Sequence, residues 1–136
     1  SYGFLELGVS DVDSYDISEW AKEQARNRGC RVVESLRDHY DIGIFLDVLE
    51  HIEDLGIESV FNGTRFGSVL VRIPCSVPEQ PNKFYLEVSR RDPTHINCKT
   101  PQQWTEKFRE FGYSTCLPIT MGTVYNSPGC FCAVLI

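Results

Sequence analysis

Several side chains able to hold a proton or a cation fall close together in the run Asp47-Val48-Leu49-Glu50-His51. Asp47, Glu50 and His51 stand at i, i+3 and i+4, so a helix beginning at Asp47 would present all three on one face. With His95, in Asp92-Pro93-Thr94-His95, they make an oxygen-and-nitrogen donor set suited to a divalent ion. The plainer reading is that two acids at a helix start complement the helix dipole. His95 is also the best candidate for a general base, against a loop histidine that only makes a structural hydrogen bond. A further carboxylate, Asp16, precedes Ile17 and Ser18. It can accept two hydrogen bonds from a ribose diol, or it and Ser18 can cap the helix that follows.

These residues need elements to carry them. Cys130 to Ile136 is a short apolar run after Ser127-Pro128-Gly129 and reads as a strand. Tyr113 to Thr120, interrupted by Pro118, reads as its antiparallel partner across a loop from Gly122 to Gly129. Asp41 to Leu46 and Val69 to Ile73 are buried strands, bounded by turn residues and too short for helices. Val12 to Tyr15 and Arg31 to Val33 are weaker strands. Ser18 to Arg28 predicts a helix with Ser18 as N-cap and Gly29 at its end, with Trp20, Ala21 and Ala25 facing inward. Leu49 to Val60 predicts a second helix. Thr100 to Phe111 predicts a third, with Pro101 in its first position, Gly112 past its end and Trp104, Phe108 and Phe111 as a core stripe.

Strands alternating with helices imply a mostly parallel sheet covered on both faces. Ligands in such sheets bind beyond the carboxyl ends of the strands. Asp16, Glu34-Ser35-Leu36 and Leu46-Asp47 all follow strands in this order.

The runs YDIS-EWAKEQARNRG, YDIGIFLDVLEHIED, FGSVLVRIP and DPTHINCKTPQQWTEKFREFGY, in order and at these separations, resemble a class I S-adenosylmethionine-dependent methyltransferase. The match runs from about residue 10 over nearly the whole chain. It implies a single three-layer, Rossmann-like α/β domain over residues 1–136, whose seven-stranded sheet ends in antiparallel strands. It also implies S-adenosylmethionine as cofactor, with Asp16 on the ribose hydroxyls and Ile17 against the adenine. Ser35 and Leu36 would lie at the adenine edge, and Leu46 and Asp47 beside the methionine part. Where Ser35 stands, members often carry Asp. Some related small-molecule and RNA 2′-O-methyltransferases use a similar acidic-x-x-Glu-His arrangement with a divalent metal.

The front departs from the family, which opens with a strand and a glycine-rich loop. No G-x-G-x-G is present. Ser1-Tyr2-Gly3-Phe4 resembles the tail of that loop, with Leu5 to Gly8 as a shortened helix. Alternatively, Phe4 to Gly8 is the first strand itself. Either way the expectation is an N-terminally truncated domain, its first strand missing or remodelled. Unpaired strand edges then favour a homo-oligomer.

Composition narrows the partners. The net charge of −6 and scattered basic residues argue against nucleic acid and for a small-molecule acceptor. No apolar run is long enough to span a membrane and no secretory signal is visible. The six cysteines form no Cys-x-x-Cys pair and read as small hydrophobes in a reducing cytoplasm. Thiol chemistry at Cys75, Cys98 or Cys130/Cys132 is a weaker alternative. Two functions follow: a methyltransferase with a small-molecule acceptor, or a methyltransferase-fold relic or interaction module that no longer holds the cofactor.

Overall fold

The computed structural model describes residues 2–9, 11–119 and 128–136. Contacts divide the chain into two compact units, Ser1–Arg37 and Asp38–Ile136.

In the first unit, helix α1 (Tyr2–Glu6) precedes β1 (Asp13–Ser14), α2 (Glu19–Asn27) and β2 (Arg31–Val32). The front is therefore helical, and Phe4–Gly8 is not a strand. β1 and β2 pair in parallel, Asp13 opposite Arg31 and Ser14 opposite Val32. Helix α2 begins as its sequence dictates. Ser18 is extended, and its hydroxyl accepts the Ala21 N–H at 3.3 Å. Gly29 takes the left-handed φ of +77° just past the other end. Trp20, expected to face inward, is 71% exposed. Lys22 is buried instead, held by Glu19 at 2.8 Å and Glu34 at 2.7 Å. A two-stranded sheet gives a bulky indole little apolar cover, whereas a paired ammonium on a long apolar stem is tolerated there.

The second unit is built on β3 (His39–Leu46), β4 (Arg65–Pro74), β7 (Cys116–Pro118) and β8 (Cys130–Leu135), in the order β3-β4-β8-β7. β3 and β4 are parallel, and β8 runs antiparallel to both β4 and β7. This is the expected α/β architecture of parallel strands followed by an antiparallel tail. Strict alternation along β4 buries Val69, Val71 and Ile73 completely. They share a core with Ala133 and Leu135 of β8, with Ile57 and Phe61 of α3 (Asp54–Gly63), and with Trp104 and Phe108 of α5 (Pro101–Glu110). Phe61 stacks on Phe111 at 4.9 Å and Phe108 on Phe131 at 6.2 Å. α5 starts with a full capping box, in which Thr100 and Gln103 satisfy each other's backbone N–H groups.

Three expectations are corrected. The strands do not form one seven-stranded sheet: among the described residues hydrogen bonds define one four-stranded and two two-stranded sheets. The helix expected over 49–60 is a single 3-10 turn, Leu49–His51, followed by α3. The segment read as a long loop after Pro74 contains a hairpin, β5 (Ser76–Val77) with β6 (Gln80–Phe84), and a short helix α4 (Glu87–Arg91). Most of the predicted loop from Gly122 to Gly129 lies outside the described residues. No helix among the described residues is long and apolar enough to cross a membrane.

Candidate functional site

At the carboxyl end of β3 the chain turns sharply. Asp47 adopts φ +54°, a left-handed conformation that Asp tolerates better than most residues. Its N–H donates to the Arg72 carbonyl at 2.8 Å, and its carboxylate pairs with the Arg72 guanidinium. Asp47 therefore does not share a helix face with Glu50 and His51. The Arg72 guanidinium is thereby engaged by Asp47.

The 3-10 turn that follows drives Leu49 and Glu50 inward; Glu50 is fully buried. The loop after α4 is tied to this turn by backbone bonds. The Glu50 carbonyl accepts from the N–H groups of Ile96 and Asn97, both at 2.9 Å. The Asn97 amide donates to the Ile52 carbonyl and to Asp54, again at 2.9 Å. Lys99 reaches Asp54 at 2.7 Å. These bonds bring His95 onto the turn, where its ring meets that of His51 edge to face at 4.5 Å.

Glu50, His51 and His95 thus converge, each offering one ligand atom within 4.8 Å of the others. Neither Glu50 carboxylate oxygen has a hydrogen-bond partner, nor does His95 Nδ1. Burial, with a further push from the Asp47 charge, raises the Glu50 carboxyl to about 7. Burial, and then the neighbouring His51, lower the pKa of His95, so its ring favours the neutral form that offers a lone pair. His51 Nε2 lies 3.8 Å from Glu50 Oε1. A buried, unpartnered carboxylate beside two imidazoles is costly as it stands, and it matches the donor chemistry of a divalent transition metal. These residues fit such an ion; Asp47, expected as a fourth ligand, is held by Arg72.

The predicted cofactor residues fall in both units. In the first, Asp16 follows β1 and is exposed; its Oδ1 accepts the Ser18 N–H at 2.8 Å. Ile17 is 87% exposed. Ser35 is exposed and Leu36 half-buried just beyond β2, so both segments leave the same end of a parallel pair. In the second unit, Leu46 closes β3 and is 42% exposed. Sequence reasoning passed over Thr94, whose hydroxyl meets His51 Nδ1 at 2.9 Å. The signal was the Asp92-Pro93-Thr94 turn, in which the Asp92 carboxylate accepts the Thr94 N–H at 2.9 Å. Among the described residues no cysteine forms a disulfide; burial pushes the Cys75 thiol up to about 12.

No family model and no curated protein matches this chain. Among solved structures, it is similar to the crystal structure of the methyltransferase domain of bacterial CtHen1-C. That alignment covers 98% of this chain and 81% of the other, with a TM-score of 0.63 and 18% identity. The likeness shows the fold: this chain has the fold of a methyltransferase domain.

Proposed function

We propose that the chain is an S-adenosylmethionine-dependent methyltransferase that acts on a hydroxyl oxygen, with Glu50, His51 and His95 holding a divalent cation on the acceptor side. The observation that carries this reading is the fully buried Glu50 carboxylate, without a hydrogen-bond partner and within ligand distance of two imidazoles. S-adenosylmethionine supplies an electrophilic methyl group, and a divalent cation supplies Lewis acidity that eases loss of a hydroxyl proton. The chain's own part is orientation and proton handling. The backbone bonds to the Glu50 carbonyl fix the separation of the turn and the His95 loop. His95, favoured in its neutral form by burial, offers a lone pair; without a cation it is the general base.

The cofactor assignments rest on the fold and on position. Asp16 is the ribose acceptor: among the described residues its carboxylate makes one hydrogen bond, to Ser18, which leaves acceptor capacity for a diol. Ile17, Ser35 and Leu36 supply the adenine surface, and Leu46 borders the methionine part. Asp47 anchors the β3 end through Arg72. The acceptor chemistry that best suits a cation held by one carboxylate and two imidazoles is a vicinal pair of hydroxyls. The acidic balance of the sequence favours a small molecule as its source. A reducing compartment such as the cytoplasm suits six cysteines that read as small hydrophobes.

The test is methyl transfer from labelled S-adenosylmethionine with Mn²⁺ or EDTA. One arm carries a catechol, another an RNA oligonucleotide with a free terminal 2′,3′-diol. Cation-dependent transfer in the catechol arm supports the reading as stated. Transfer to RNA alone would keep the site chemistry and replace the acceptor. Failure in both arms, with no thermal stabilisation by S-adenosylhomocysteine, would support a fold relic that has lost its cofactor.

A further inference from the structure

His51 Nδ1 has two neighbours, the Thr94 hydroxyl oxygen at 2.9 Å and the Thr94 carbonyl oxygen at 3.2 Å. A carbonyl can only accept a hydrogen bond. The hydroxyl is constrained as well: Thr94 Oγ1 donates to Asp92 Oδ1 at 2.6 Å, so its single hydrogen is committed there. Asp92 Oδ1 accepts the Thr94 N–H as well, at 2.9 Å, and so faces two donors. Both atoms facing Nδ1 therefore require a hydrogen on it. A neutral imidazole carries one N–H, which leaves Nε2 bare, 3.8 Å from Glu50 Oε1. Two electron-rich atoms facing each other at that distance are satisfied by a cation between them.

We propose that Asp92 and Thr94 are positioning residues that place the His51 proton on Nδ1 and so aim the Nε2 lone pair at Glu50. The inference rests on the reading of Glu50, His51 and His95 as a cation site, and extends it to the residues that orient one ligand. A ligating imidazole commonly donates its other N–H to an oxygen, and loss of that partner typically weakens metal binding 10- to 100-fold. Here the partner is a threonine that is itself locked by a carboxylate.

The experiment uses the full chain, stripped with EDTA and labelled with ¹⁵N-histidine. Its three histidines make the spectrum assignable with single His→Ala variants. Long-range ¹⁵N–¹H correlation above neutral pH is expected to show His51 as the Nδ1–H form. Thr94→Val removes the nearer, hydroxyl acceptor at constant shape, leaves the Thr94 carbonyl at 3.2 Å as the one acceptor at Nδ1, and is expected to lower the Nδ1–H fraction. Thr94→Ser is expected to restore it. Mn²⁺ affinity should follow the same order, falling about tenfold or more in Thr94→Val and recovering in Thr94→Ser. Asp92→Asn, which loosens the threonine rather than removing it, gives an independent variant should Thr94→Val fold poorly. An Nε2–H form in the unmodified chain, or a proton position unmoved by the folded variants, would overturn the proposal. An Nδ1–H form together with no Mn²⁺ binding would keep the proton placement and instead overturn the cation-site reading.

Discussion

At the residue scale, Glu50 matters most. Its carboxyl is raised from the ordinary 4.5 to about 7, chiefly by burial. Between those values the folded chain holds a proton that the unfolded chain has released. The contribution of Glu50 to stability without a cation is therefore fully present below about 4.5 and declines as pH rises through about 7. Urea titrations in EDTA across this range should show that decline. Glu50→Gln should flatten it, because a neutral amide does not titrate there. An unchanged slope in the variant would assign the dependence to other groups. The sequence grouped Glu50, His51 and His95 as a donor set, but the bonds that join them, and the loss of Asp47 from the set, were not legible. His51 and its partner Thr94 lie 43 positions apart and are brought together by the backbone bonds of residues 96 and 97 to Glu50 and by the Asn97 and Lys99 side chains.

At the element scale, the strands and capped helices could be read because local chemistry agrees with the fold. Ser18, Thr100 and Pro101 sit where helices start, and Val69, Val71 and Ile73 alternate as a buried strand must. Removing the Thr100 hydroxyl by Thr100→Ala should cost about 1 kcal/mol, measured by chemical denaturation. Trp104→Ala should cost about 3–5 kcal/mol, since that ring is fully enclosed. What could not be read depends on partners distant in sequence. Gln80–Phe84 has a proline and four exposed positions out of five, and it is a strand only because it pairs with Ser76–Val77. The helix expected from residue 49 failed for a related reason. Asp47 is turned into the left-handed region where Arg72 binds it, and the chain needs a 3-10 turn to recover before α3.

At the scale of the whole molecule, the fold and its antiparallel tail were legible from ordered motifs, while the division of the strands among sheets was not. Among the described residues β3 is the end strand of its sheet, and Ile42, Ile44 and Leu46 on one of its faces are 62%, 39% and 42% exposed. We expect this edge to recruit a second copy. Light scattering should give a dimer that Ile42→Lys dissociates, and a monomer for the unaltered chain would count against it. Cofactor retention is expected to raise the melting midpoint with S-adenosylhomocysteine, by the equivalent of about 2.7 kcal/mol at a hundredfold excess over Kd. Asp16→Ala should abolish that rise. The most direct test of the central claim is calorimetric titration of Mn²⁺ into the EDTA-stripped chain and into Glu50→Gln. One ion per chain in the first, weakened at least tenfold in the second, is the predicted result. No binding to the unaltered chain, or equal affinity in both, would contradict it.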